Sequence, residues 1–218
     1  MLRQLLRRNW EVLLFGLIGF LLLASLQSTD VTPEKDSPYP LIRNSIACLA
    51  FFHTKIVPIT FSISMAGALA FVLLPLRNAQ RRFLIDAIAI YFTIRLLTLF
   101  TFINLLIFLK TSDHALVVAQ LLLFLPCLLL IWGWIYWRID TRSLLNTGKR
   151  IFSFKLAEGA TPTIYDYFLV SFTSLLSHTL SGFSGETRTA RTLIFIHGIM
   201  MWDIMGLTLS RAIAMIST

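Results

Sequence analysis

Residues 115–137 read ALVVAQLLLFLPCLLLIWGWIYW, twenty-three positions without a charged side chain. At about 1.5 Å per residue a helix of that length reaches about 34 Å, more than the roughly 30 Å hydrocarbon core of a bilayer. The run ends in Trp132, Trp134, Tyr136 and Trp137, with Arg138 next. Aromatic residues followed by a cation mark a headgroup level. Comparable runs lie on either side: Trp10–Leu26, Ile46–Leu76, Phe83–Leu109 and Thr192–Ile216. The second is longer than one span needs and carries Lys55 and Pro58. It is read as a span over Ile56–Leu76, with residues 41–54 as an interfacial approach or a helical extension. Gly67, between Ala66 and Ala68, offers a small face for close helix packing.

Composition agrees with this reading. Of 218 residues, 56% are apolar and only 14% are charged, where a soluble domain carries about a quarter. The net charge of +8 would suit nucleic acid, but the cations sit in short clusters beside the apolar runs: Arg3/Arg7/Arg8, Arg77/Arg81/Arg82 and Arg138/Arg142/Lys149/Arg150/Lys155. Clusters so placed are topology signals, and no nucleic-acid partner is expected. Cys48 and Cys127 both lie in apolar runs and build neither a disulfide framework nor a metal site. The first run, with its basic start and Ala24-Ser25, also resembles a signal peptide; an uncleaved first span fits better. Gln27–Pro40, with three prolines and Asp30, Glu34, Lys35 and Asp36, reads as a polar loop. The chain shows no repeat and reads as a single transmembrane domain over 1–218. The expected fold is all-α and polytopic, with five clear transmembrane helices plus a sixth short span or re-entrant helix at 164–183.

If 164–183 crosses, both termini lie inside. The three basic clusters then put eleven cations inside, against six outside (Lys35, Arg43, Lys55, Lys110, Arg188 and Arg191). The bias favours a cytoplasmic N-terminus.

Residues 164–183 read IYDYFLVSFTSLLSHTLSGF. Ser171, Thr173, Ser174, Ser177, His178, Thr179 and Ser181 make it too polar to face lipid, so these side chains face other helices or a wet cavity. Gly182-Phe183-Ser184-Gly185 follows, and irregular backbone at membrane depth is tolerated only under protein or water. A pore loop and a plain buried hairpin both fit.

The order Asp166-Tyr167, Ser171-Phe172, a hydroxyl-rich strip, Thr187-Arg188, Arg191-Thr192-Leu193 and His197-Gly198 resembles the C-terminal third of a family of bacterial multi-span membrane proteins without assigned function. That region in turn looks like a degenerate potassium-channel pore domain, so residues 164–216 resemble a pore-loop-like helix hairpin. The resemblance implies a multi-pass protein of the bacterial inner membrane that assembles as a homotetramer and passes small cations. A potassium filter, however, strips the ion's hydration with consecutive backbone carbonyls in a Thr-Val-Gly-Tyr-Gly type run. Here an extra residue separates Gly182 from Gly185, and Ser177-His178-Thr179-Leu180 holds no glycine. A re-entrant loop of the potassium-channel kind, followed by an inward-running last helix, also places residues 138–163 and their five cations outside. The charge count opposes it.

Asp86 and Arg95 lie nine positions apart in one span, on opposite faces and about 13.5 Å from each other, so they do not pair. Asp86, four residues after Arg82, reads as an interfacial helix-start residue. Asp203 is an intramembrane carboxylate, with Arg95 the partner expected for it. A buried ion pair holding the bundle in register and an ion or proton relay are the two uses of such a pair. His197, beside Gly198, suits a hydrogen-bonded packing position. His178 sits in the hydroxyl strip, where an imidazole titrating near neutral pH suits a proton-sensitive gate. The four histidines show no metal-ligand spacing, and neither metal nor cofactor is expected.

Leu193–Gly198 and Gly182–Gly185 echo a lipase oxyanion strand and nucleophile elbow. The elbow glycine falls one position early and the order is reversed, so no enzyme is expected. A small transporter would need inverted repeats or broken helices, and neither is clear. The expectation is a channel-like membrane protein passing monovalent cations without a standard potassium filter. Ser174, Ser177, His178, Thr179 and Ser181 line its path, and Asp203 and Arg95 are its intramembrane charges. The competing class is a non-conducting structural or assembly protein that kept the fold and lost the filter.

Overall fold

The computed structural model describes residues 2–26, 40–73, 77–105, 114–156, 160–174 and 182–216. The expected loop at 27–39, Lys110, and Ser177, His178, Thr179 and Ser181 lie outside the described residues. The described chain is almost wholly helical. In order run α1 (Leu2–Leu26), α2 (Pro40–Phe51), a π-helical turn (Phe52–Ile56), α3 (Val57–Leu73), α4 (Asn78–Leu105), α5 (His114–Thr147), β1 (Phe152–Phe154), α6 (Ile164–Thr173), β2 (Phe183–Gly185) and α7 (Arg188–Ile216).

Four helical stretches are long and apolar enough to cross a membrane: Pro40–Leu69, Asn78–Leu105, Gln120–Thr147 and Arg188–Ser210. The apolar part of α1, Asn9–Leu23, is shorter. Asn9 leaves helical geometry (φ −117°, ψ 16°) and bends α1 just after its basic start. The stretch carrying Lys55 and Pro58 lies in one continuous helical path from Pro40 to Leu73, so of the two alternatives for residues 41–54 the structure has the helical extension. Proline has no N–H and its ring crowds the carbonyl four residues back. The π turn directly before Pro58 accommodates this, with the Val57 N–H bonding Phe52 O.

The chain divides into two compact units, residues 1–127 and 128–218, with the boundary inside α5. In the first unit, α1 and α4 run parallel: Asn9 meets Arg81, Glu11 meets Arg82 and Leu22 meets Arg95. Helix α3 runs against α4, since Phe71 lies on Arg81, Thr60 on Tyr91 and His53 on Phe102. The first part of α5 also runs against α4, with Phe124 near Phe100 and Cys127 near Ile18. At one end, Glu11 takes a two-pronged bond from Arg82 (2.8 and 3.1 Å), and Arg82 also reaches Asp86 at 3.5 Å.

In the second unit, α6 runs against α5. Its Tyr167 meets Asp140, its Phe168 covers Gly133, and its Ser171 reaches Leu129. A Cβ at Gly133 would lie 2.7 Å from the Phe168 ring and 3.1 Å from its Cα, so only glycine lets the two helices approach this closely. Gly148, at φ +70°, ends α5 with its N–H on Leu144 O, the usual left-handed helix stop. A two-stranded antiparallel sheet then pairs Phe152 with Gly185, Ser153 with Ser184 and Phe154 with Phe183.

Candidate functional site

Of the residues singled out in the sequence, the second unit holds Ser174, His197 and Asp203. Its anchor is Asp140, fully buried near the end of α5. One carboxylate oxygen accepts the backbone N–H groups of Ile151 (2.8 Å) and Phe152 (3.2 Å). The other accepts Arg150 Nη1 at 2.8 Å and the Tyr167 hydroxyl. Arg150 also reaches the Tyr167 oxygen at 2.7 Å. A buried carboxylate is tolerable only when paired and hydrogen-bonded, and all of Asp140's accepting capacity is used. Burial and the neighbouring carboxylate raise the Tyr167 phenol above its ordinary pKa, so it remains a donor. The carboxylate therefore ties β1 and the start of α6 to the end of α5.

Helix α6 starts at this anchor. Thr163 caps it, with both its N–H (2.6 Å) and its hydroxyl (2.7 Å) on Asp166 Oδ2. Asp166, one of the motif residues, is thus a helix cap. From here α6 runs ten residues, about 15 Å, to Thr173 and Ser174. Ser171 Oγ donates to Leu129 O at 2.7 Å, well along α5 from Asp140. Gly182 lies beside β1: its carbonyl accepts the Lys155 N–H at 2.7 Å, and Glu186 N–H bonds Ile151 O at 2.8 Å. The start of α6 and Gly182 thus lie at the same end of the unit. Helix α7 starts from that end too, at Arg188, and passes α5 in the opposite sense.

Between these helices lies an aromatic layer with a polar thread. His197 of α7 stacks on Trp132 (4.8 Å, 16°) and is 1% exposed. Tyr136 packs on Phe152 and Phe183, whose rings are themselves 5.0 Å apart. The Tyr136 hydroxyl lies 2.9 Å from His197 Nδ1, and Ser174 Oγ lies 3.5 Å from Nε2. Ser174 donates its own hydroxyl proton to Ser171 O (2.6 Å), so its oxygen is left to accept from His197. This assigns the tautomer: Nε2 carries the proton and Nδ1 accepts from Tyr136.

Of the expected path residues, Ser174 lies against His197. Ser177, His178, Thr179 and Ser181 lie outside the described residues. Asp203 is half-buried on α7, six residues beyond His197. Arg95 is 2% exposed in the first unit, donates Nη2 to Leu22 O (3.2 Å) and lies over the Phe61 ring at 5.8 Å. Among the described residues its Nη1 has no hydrogen-bond partner, and neither ring nitrogen of the buried His53 has one. Asp86 pairs with Arg82 at the helix start. Among the described residues no three His, Cys, Asp or Glu gather as a metal site.

Sequence reasoning missed Asp140. Its signal was present, as a lone acid two positions after Arg138 at the end of the aromatic run, with Arg150 downstream. In the sequence Arg150 reads only as a topology cation. No protein family, curated protein or solved structure matches the chain.

Proposed function

We propose that the chain is a channel-like, multi-pass protein of the bacterial inner membrane. In this reading residues 164–183 dip into the bilayer from the cytoplasmic side and return to it. The dip carries Ser174, Ser177, His178, Thr179 and Ser181 along a path for small monovalent cations. The observation that carries the reading is the return of Gly182 to Lys155 after α6 has run to Ser174. A ten-residue helix reaches about half the hydrocarbon thickness, which supports a re-entrant segment at 164–183 over a sixth span. The spans are then α1, α2–α3, α4, α5 and α7, with the N-terminus inside and the C-terminus outside.

This arrangement removes the conflict between re-entry and charge. Residues 138–163 stay inside with their five cations, and Arg188 and Arg191 join them. Thirteen cations then face the cytoplasm, against Lys35, Arg43, Lys110 and Arg211 outside, with Lys55 within the α2–α3 helix. The last helix runs outward, opposite to the potassium-channel pattern, and no standard filter is present. Asp203 lies about 22 Å along α7 from Arg188, near mid-membrane, where a carboxylate favours cations. One hairpin forms only one wall of a path, so several copies, four by the resemblance, would enclose it.

The competing reading, a non-conducting structural protein, draws on the pairing within the second unit. Asp140, Tyr136, Ser171 and His197 all have partners inside it. Cation flux into proteoliposomes separates the two. A channel with Thr179→Ala or Asp203→Asn inserts normally and changes conductance or selectivity by about tenfold, the range of a charge-assisted contact. No flux from the wild type, together with folded yield lost in Asp203→Asn and unaffected in Thr179→Ala, would leave the structural reading standing.

A further inference from the structure

In the first unit, Arg95 lies 13 positions along α4 from Arg82, about 20 Å in from the end held by Glu11 and Arg82. It is 2% exposed, its Nη2 donates to Leu22 O of α1 at 3.2 Å, and its Cζ stands over the Phe61 ring of α3. Its Nη1 has no hydrogen-bond partner among the described residues. A guanidinium holds its proton at any physiological pH, so it cannot become neutral on burial as a lysine does. A buried charge of this kind is tolerated only with a counter-charge. Among the described residues the ionisable groups within electrostatic reach of Arg95 include the Tyr91 phenol, the Cys127 thiol and the His53 imidazole, none of them an anion at neutral pH. The two carboxylates described in this unit, Glu11 and Asp86, both engage Arg82.

His53 is a second group of the same kind. It is 2% exposed, its ring packs on Phe52 and Phe102, and neither ring nitrogen has a hydrogen-bond partner among the described residues. The Thr98 backbone of α4 acts on the ring without reaching hydrogen-bond geometry. His53 stands in the π turn, a backbone form frequent at functional sites. Arg95 over Phe61 and His53 on Phe102 place both groups in the seam between α4 and the helical path of α2 and α3. We propose that this seam holds one small monovalent anion, chloride in size, bound by Arg95 Nη1 and by a ring N–H of His53. A water molecule would satisfy the N–H groups and leave the charge; an anion answers both. A cation is repelled by Arg95, and an oxyanion such as phosphate brings more charge and more acceptor oxygens than these two groups match. Every group named belongs to the first unit, so the seat does not rest on the path proposed above.

The test is thermal melting of the full chain in detergent, with sodium chloride exchanged for sodium gluconate at constant ionic strength so that screening is equal. The wild-type melting temperature is expected to rise with chloride and to saturate, as binding to the folded state alone requires. Arg95→Met, which leaves no charge to neutralise, is expected to melt at one temperature in both salts. His53→Phe keeps the ring against Phe102, needs no new charge, and should raise the half-saturating chloride concentration about tenfold, the loss of one hydrogen bond to a charged group. It decides the matter even if Arg95→Met fails to fold. Equal melting of the wild type in the two salts would leave water alone in the seam and overturn the proposal. So would chloride dependence kept by Arg95→Met, a half-saturation unmoved in His53→Phe, or a dependence that arises only in Asp203→Asn, which would make Asp203 the counter-charge.

Discussion

At the residue scale, Asp140 does the most with the least exposure. Two backbone N–H groups, a guanidinium and a phenol converge on one carboxylate that water does not reach. Removing one partner of such a cluster leaves the others buried and unpaired, at a cost of about 3–5 kcal/mol. Asp140→Ala is therefore expected to lower the detergent melting temperature sharply. Asp140→Asn, which keeps the shape and loses the charge, should fall between it and the wild type. Equal melting temperatures for all three proteins would mean that Asp140 is not the fastening point. The sequence gives the type of this residue but not its burial, because a single acid in a basic connector also reads as a solvated loop residue. His53 shows the converse. It sits in a π-helical turn, 2% exposed and with no hydrogen bond to its ring nitrogens, and nothing in its neighbourhood in the sequence marks it as buried.

At the element scale, the long helices were legible because apolar runs of more than about eighteen residues have few other uses. Expected spans at 83–109, 115–137 and 192–216 overlap three of the four long apolar stretches among the described residues, while 56–76 meets Pro40–Leu69 only over 56–69 and the expected first span, Trp10–Leu26, is the shorter Asn9–Leu23. Boundaries were less legible. A run broken by Lys55 and Pro58 is one helical path, because a π turn absorbs the proline. The strands Phe152–Phe154 and Phe183–Gly185 were invisible, since three residues are too few to show alternation. Helix α6 was seen as a segment, but its length was not. Its register rests on Gly133, where Phe168 lies too close for any Cβ. Gly133→Val should push α6 from α5 and break the Ser171–Leu129 bond, lowering thermal stability by about 1–3 kcal/mol as overpacking does. Unchanged stability would show that α6 packs elsewhere.

For the whole molecule, the charge pattern and the hairpin looked irreconcilable when re-entry was tied to an inward-running last helix. They agree once the hairpin opens toward its own basic connector. The tie came from the potassium-channel resemblance, which carries a fixed order of helix directions; charge counting carries no such order. Cysteine labelling decides the sidedness. Single cysteines within residues 145–149 and near Thr218 should react from opposite faces of the membrane, the first from the cytoplasm. Labelling of both from the same face would restore 164–183 as a span and remove the re-entrant path.

The pairing of β1 with β2 has a further consequence for how the chain is made. Ser153 and Ser184, whose hydroxyls lie 2.9 Å apart, are separated by 31 residues, so the ribosome finishes one strand well before the other emerges. On the proposed re-entrant reading, α6 then has its anchor before its return strand exists. The closing strand leads directly into α7. Biogenesis of this half of the protein is thus expected to be ordered from its last helix backward, and a nascent chain stalled before Phe183 should remain accessible to protease where the finished protein is not.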